Sequence, residues 1–299
     1  MRVAISGITG LIGTALREGL GAEGTELVAL TRRKSLPPLT TVTWDVNKGR
    51  FDAGSLEGVD AVVHLAGAPV AQRWTKTAKQ AIRDSRVKST ELLVEGLRSL
   101  KHRPKVVVSA SAVGYYGDGG EKELTETSLA GTGFLPDVCQ AWEHAAMEAM
   151  GLGIRTVVIR TGIVLSTRGG ALKKMLLPFR LGLGGPVGSG KQWMPWIHID
   201  DTVGAIRFLL DKDDLMGAVN LTAPTPVRNE SFSRTLGGVL RRPAILPAPA
   251  FGLKLAFGKM SEIVLEGQRA VPAKLEEAGY VFRYPELKAA LEDVLRNDK

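Results

Sequence analysis

The sequence predicts an α/β protein: a Rossmann-type, doubly wound parallel sheet with a smaller C-terminal α+β domain. Three observations predict it. Apolar strand-like runs alternate with helical stretches across residues 1–165, the signature of βαβ units with right-handed crossovers. The first strand passes to the first helix through three spaced glycines. After Gly169-Gly170 the alternation ends, and prolines and short helical segments take over. The expected division is residues 1–168 for the sheet domain, with 200–222 returning to it. Residues 169–199 and 223–299 are expected to form the smaller domain.

The first unit is an apolar strand at residues 1–6, the loop Gly7-Ile8-Thr9-Gly10-Leu11-Ile12-Gly13, and a helix from Thr14. In such a loop the first glycine permits a tight turn and the second lets backbone approach a pyrophosphate. The third lets helix and strand pack closely. The helix start offers free N–H groups and a positive dipole end. A strand before and a helix after separate a dinucleotide loop from a plain turn. Gly7, Thr9, Gly10, Leu11, Ile12 and Gly13 are therefore expected to hold a dinucleotide. The next strand, residues 26–30, ends in Thr31-Arg32-Arg33-Lys34 and carries no acid there. An acid at that point selects NAD, whereas arginine accepts a 2′-phosphate. NADP(H) is thus expected over NAD(H), with a solvated basic turn as the competing reading.

A short strand at 42–46 carries Asp45, and an apolar one at 60–68 ends in Leu65-Ala66-Gly67. His64, inside that run, reads as a satisfied core histidine. Residues 77–100 read as one long helix with Arg86 near its middle. A strand from 105 to 109 runs into Ser109-Ala110-Ser111, followed by Tyr115 and Tyr116. A surface loop at 117–133, a helix at 134–150 and a strand at 155–160 complete the alternation. Ligands on such sheets lie at the carboxyl ends of the strands. Asp45, Leu65, Ala66, Gly67, Ser109, Arg160 and Ile163 fall at those ends and, with Thr31 and Arg86, complete the expected cofactor set.

Beyond the boundary, residues 171–181 look helical and 182–192 form a glycine-rich loop. Asp200 or Asp201 is expected to cap a helix at 202–210, and a strand follows at 218–221. Short helices are expected at 232–240, 251–257, 261–266 and 285–295. Glycines let backbone N–H groups converge on an anion. Gly185, Ser189, Lys191, Trp193, Trp196 and His198 are therefore the substrate-side candidates, with a purely structural interdomain loop as the alternative.

Composition narrows the function classes. Cys139 is the single cysteine and the four histidines are widely spaced, so no disulfide framework and no metal site is expected. No apolar run is long enough to span a bilayer, and the chain opens on a core-type strand. No membrane partner, no signal peptide and a cytoplasmic, reducing setting are expected. The net charge is +8. It fits a solvated basic surface or an anionic small molecule. The basic residues are dispersed rather than gathered in a tail and no aromatic-basic module accompanies them, so nucleic acid is not expected.

The glycine fingerprint, Leu65-Ala66-Gly67-Ala68, Ser109-Ala110-Ser111 and Ile197-His198-Ile199-Asp200-Asp201 resemble the extended short-chain dehydrogenases/reductases, the superfamily of nucleotide-sugar epimerases. Residues 182–190, Pro195-Trp196-Ile197-His198 and the block from Leu265 to Pro285 are similar to its atypical epimerase-family branch. The resemblance covers essentially the whole chain and implies an NADP-binding sheet domain with a substrate-side C-terminal domain. Active superfamily members carry a Tyr-x-x-x-Lys pair on the helix before the sixth strand. Counted back from Arg160, the pair falls near Leu135 and Cys139, which cannot do its work.

Ser111 takes the place of the superfamily's catalytic serine, and Tyr115 and Tyr116 are candidate acids near it, with aromatic packing as their other reading. Glu143 reads as structural or solvent-facing, and Cys139 as inert. Two functions follow: an NADP(H)-dependent oxidoreductase or epimerase-like enzyme on an unknown small molecule, or a non-catalytic NADP(H)-binding regulatory or sensing protein.

Overall fold

The structure, a computed structural model, describes residues 1–33 and 35–296; Lys34, part of the predicted basic turn, lies outside them. The strands are β1 (Arg2–Ser6), β2 (Glu26–Thr31), β3 (Thr40–Asp45), β4 (Arg50–Phe51), β5 (Ala61–His64), β6 (Val106–Ala112), β7 (Glu123–Leu124), β8 (Arg155–Thr161), β9 (Ile163–Leu165), β10 (Trp193–Met194), β11 (Trp196–His198), β12 (Gly217–Leu221), β13 (Val227–Arg228) and β14 (Arg269–Ala270). The helices are α1 (Leu11–Ala22), α2 (Lys76–Asp84), α3 (Val87–Arg98), α4 (Phe134–Met147), α5 (Gly170–Arg180), α6 (Ile199–Asp211), α7 (Asn229–Leu240), α8 (Ala250–Phe257), α9 (Glu262–Leu265), α10 (Ala273–Glu277) and α11 (Leu287–Arg296).

The main sheet runs β12-β8-β6-β5-β1-β2-β3-β4, parallel except for β4. The order reverses beside β1, the switch point where such sheets open a crevice. Strand residues alternate between faces. Val3 and Ile5 join Leu16 and Leu20 of α1 and Ile206 and Leu209 of α6 on one side. Ala4 joins Leu93 and Leu97 of α3 on the other. β12 is an edge strand of this sheet, so the chain returns to it after β11. A third core fills the C-terminal part, where Leu172, Leu176 and Phe179 of α5 meet Trp196, Phe232, Leu236, Leu287 and Leu291.

Two expectations need correction. The single helix at 77–100 is two helices, α2 and α3, broken at Ser85-Arg86. Ser85 Oγ donates to Ile82 O and accepts from Ala68 N, and the Arg86 guanidinium turns back to Ala68 O. These bonds tie the break to the end of β5. The helix after residue 200 is capped by neither aspartate. It begins at Ile199, and His198 Nδ1 accepts from Asp200 N.

His64 is fully buried and fully bonded. Ser6 Oγ lies 2.7 Å from its Nδ1, and Ser89 Oγ lies 3.2 Å from its Nε2. Ser6 Oγ accepts from the backbone of Leu65 and Ala66, so its own proton goes to Nδ1. Nε2–H then donates to Ser89, which donates to Arg86 O. Burial lowers the His64 pKa to about 4. Its contribution to stability is full above about pH 6.5 and is lost as pH falls toward 4, a swing of about 3 kcal/mol. Melting followed from pH 7 to 4 should fall more steeply for the parent protein than for His64→Gln; equal slopes would contradict the assignment.

Candidate cofactor and active site

The glycine loop is built by close approach. Gly7 has φ +69°, a left-handed conformation that favours glycine, and a Cβ there would stand 2.8 Å from the Leu65 carbonyl carbon. A Cβ on Gly13 would stand 2.2 Å from Gly7 O. The start of α1 therefore lies against the end of β1, with Gly10 as an N-cap lacking any side-chain hydrogen bond. Thr14 N makes the first helical bond, to Gly10 O. Gly10 N is taken by Gly7 O, and the N–H groups of Leu11, Ile12 and Gly13 are left for an outside acceptor. Thr9 and Gly10 are exposed and Leu11 and Ile12 half-buried beside them, so the loop presents open backbone.

Arg32 and Arg33 follow β2, beside Thr31, and are exposed. Neither guanidinium has a carboxylate or hydrogen-bond partner among the described residues. Asp45 ends β3, its carboxylate accepting from Asn47 N. Leu65, Ala66 and Gly67 continue β5 beside the glycine loop, and the Arg86 guanidinium crowds the space a Gly67 Cβ would need, at 3.2 Å. Arg86 donates to Ala68 O and Ile82 O and lies over the Trp142 ring. It has no carboxylate partner among the described residues, and burial lowers its pKa. One wall of the crevice thus carries a cation without a counter-ion.

The neighbouring wall is neutralised. Arg160 on β8 grips both oxygens of Glu143 on α4, at 2.9 and 2.8 Å. Burial disfavours the Arg160 charge, but the Glu143 hydrogen bonds more than offset this and raise its pKa. Ser111 Oγ donates to Glu143 Oε1 at 2.6 Å. Glu143 is therefore buried and structural, not solvent-facing. Arg160 also donates to the Tyr116 hydroxyl and to Glu126 O, so four of its five N–H groups are engaged within the protein. Tyr116 is buried, and its hydroxyl meets Asn220 Oδ1 and Thr125 O. A tyrosine so engaged packs; it does not present a proton to a cavity. Tyr115 differs. It is half-buried, with its ring 3.5 Å from the Arg160 guanidinium, and its hydroxyl has no partner among the described residues. Ser109 is buried in β6.

α4 carries neither tyrosine nor lysine. Burial, then Glu143, push the Cys139 thiol up to about 12, so it is no nucleophile near neutral pH. The chain does contain one Tyr-x-x-x-Lys spacing, Tyr284 to Lys288, in the C-terminal part. There Tyr284 stacks on His198 and Lys288 pairs at the surface with Glu292.

The substrate-side candidates do not converge. A Gly185 Cβ would stand 2.1 Å from Leu246 O, because the loop pairs with residues 243–248. Trp196 is fully buried, donating to Thr225 O. His198 spends its Nδ1 lone pair on the helix cap, and Asp293 Oδ2 lies 3.4 Å from Nε2. His198, Asp200 and Asp293 come close enough to suggest a cation site. The neutral ring, however, has no second lone pair to offer a metal. Trp193 lies between Arg228 and Arg269 and donates to Glu121. Ser189 lines a cavity of about 780 Å³ together with Gln192, Lys254, Ser261 and Glu266. Lys191 is exposed beside it. Ile163 N donates to Pro195 O, joining β9 to β11. The sequence reading missed Glu143 as the partner of Ser111 and Arg160; an acid followed 17 residues later by an arginine is too loose a spacing to signal it.

Comparison with known proteins agrees with this geometry. Residues 3–221 match the NAD dependent epimerase/dehydratase family, and residues 248–294 match a domain of unknown function, DUF1731. An epimerase family protein of Mycobacterium tuberculosis is 41% identical over 291 residues, covering 97% of this chain and 96% of that protein. The chloroplastic SDR39U1 homolog of Arabidopsis thaliana is 38% identical, covering 99% and 87%. The crystal structure of human epimerase family protein SDR39U1 with NADPH superposes with a TM-score of 0.90 at 37% identity, covering 99% of this chain and 100% of that one. The chain therefore belongs to the NAD-dependent epimerase/dehydratase family, in the atypical short-chain dehydrogenase/reductase branch that includes SDR39U1.

Proposed function

We propose that the protein binds NADP(H) in the crevice at the switch point. We propose further that it uses the cofactor in an oxidoreductase or epimerase-like reaction on a small molecule, without a Tyr-x-x-x-Lys pair on α4. The glycine loop carries this reading: the space that a Cβ at Gly7 or Gly13 would fill is closed, and the first N–H groups of α1 are open. Gly7, Thr9, Gly10, Leu11, Ile12 and Gly13 would hold the pyrophosphate. Thr31, Arg32 and Arg33 would take the 2′-phosphate. Asp45, Leu65, Ala66 and Gly67 would line the adenosine side, and Arg86, Ser109, Arg160 and Ile163 the inner end. The NADPH carried by the human relative supports the choice of cofactor.

When bound, the cofactor supplies hydride transfer. The chain's own part is positional. Ser111 gives its proton to Glu143, so its Oγ lone pairs accept from a substrate hydroxyl. Tyr115, whose ring faces the Arg160 guanidinium, has a hydroxyl unengaged among the described residues and would exchange a proton with the substrate. Arg86 supplies unbalanced positive charge. The domain formed by residues 169–199 and 223–299 would close over the substrate. A cytoplasmic, reducing setting suits the single buried cysteine. The sensing alternative draws on the same neutralised Ser111–Glu143–Arg160 cluster, which is finished without a ligand.

In fluorescence titrations NADPH should bind at least about tenfold more tightly than NADH. Arg32→Ala with Arg33→Ala should remove that margin and leave NADH unaffected, since charged hydrogen bonds are each worth roughly a factor of ten. Equal affinities in the parent protein would sink the 2′-phosphate assignment. On a substrate panel read at nicotinamide absorbance, Tyr115→Phe should lower turnover by about a hundredfold, and Ser111→Ala should raise KM. Unchanged turnover in both variants removes these roles, and no turnover with any substrate favours sensing. Glu143→Gln should cost about 3 kcal/mol in denaturant unfolding, because it strands the Arg160 charge; a loss below about 1 kcal/mol would show the pair to be dispensable.

A further inference from the structure

α8 is an apolar helix without a core. Phe251 is 79% and Leu255 75% exposed, and Phe257 is exposed as well. Just upstream, Ile245 and Leu246 are also exposed. Backbone bonds from Leu246 N to Gly184 O, Ala248 N to Pro186 O and Gly188 N to Ala248 O lay this stretch along the glycine loop. Leu181 and Leu183 are thereby brought alongside, with Leu177 of α5 one turn earlier, all exposed. The result is a continuous apolar strip of the kind that a soluble monomer rarely leaves open.

The segments that form this strip are rich in basic residues. Residues 170–188 contain Lys173, Lys174 and Arg180, and residues 238–260 contain Arg241, Arg242, Lys254 and Lys259; neither segment holds an aspartate or glutamate. Of the chain's 39 basic and 31 acidic residues, 32 and 31 lie outside these two segments, which therefore carry most of the net charge of +8. Lys254 lies one turn from Phe251 on α8, at the rim of the cavity it shares with Lys259, where a long stem can lie along apolar surface with its ammonium in the headgroup layer.

We infer that this strip is a docking surface for an anionic lipid membrane. Apolar side chains framed by seven cations, with acids only at one edge where Glu262 and Glu266 share a cavity with Lys254 and Lys259, match an acyl boundary beneath acidic headgroups. A second copy of the chain is a poor occupant, because a two-fold contact sets the same patch against itself and opposes seven cations to seven. The association is peripheral: no helix among the described residues is long and apolar enough to cross a membrane.

The test is flotation of the purified full-length protein with phosphatidylcholine vesicles, with and without phosphatidylglycerol, at low and high salt. The bound fraction should rise about tenfold with phosphatidylglycerol and fall with salt. Phe251→Ser with Leu255→Ser, and separately Lys254→Gln with Lys259→Gln, should each lower it several-fold at an unchanged melting temperature. Equal binding to neutral and anionic vesicles, no binding to either, or full binding by both variants would overturn the proposal. So would a stable dimer that the serine variant converts to monomer, or loss of binding only where an acidic protein contaminant is removed.

Discussion

The buried pair between Glu143 and Arg160 organises one end of the molecule. It joins α4 to β8 across the sheet face, and Ser111, Tyr116 and the backbone of Glu126 bond to its outer oxygen and N–H groups. A pair like this is weak as a net source of stability, because desolvating both charges costs nearly what their attraction returns. Its value lies in geometry. It fixes the side chain of Ser111, faces the ring of Tyr115 with a guanidinium and holds the loop after β6 against β8. Through Asn220 on β12 it also reaches the edge strand.

The other end is organised by exclusion. At Gly7 and Gly13 backbone occupies the place of a side chain, and the Ser6–His64–Ser89 chain carries that constraint to the break between α2 and α3. Arg86 stands at that break, so its position is set by hydrogen bonds that begin beside the glycine loop. The two ends meet across the crevice, with an uncompensated cation on one side and a compensated one on the other.

The sheet was legible in the sequence because its strands are short apolar runs buried on both faces, and the glycine loop because a steric demand leaves few residue choices. Substitution of the α4 pair was legible at Leu135 and Cys139 for the same reason: a required side chain is absent from a fixed place. The helix break at Ser85-Arg86 was not, since neither residue breaks helices and the cause is Ala68, 17 positions earlier. His198 as a cap escaped because imidazole seldom serves there, while the adjacent aspartates are ordinary caps. Gly185, Trp196 and His198 looked like pocket residues by type. Their partners, Leu246, Thr225, Asp200 and Asp293, decide otherwise, and no local pattern announces contacts of that separation.

The third core has a consequence for the order in which the protein can be made. Leu172, Leu176 and Phe179 leave the ribosome with α5, yet the partners that bury them include Phe232 and Leu236 of α7 and Leu287 and Leu291 of α11. Between those events the chain must also lay β12 on the sheet edge. The sheet domain can close while α5 waits with its apolar face uncovered, until α11 has been synthesised. A stalled or truncated chain would therefore carry a finished cofactor crevice beside a sticky helix, a species that chaperones recognise and that aggregates when they are absent.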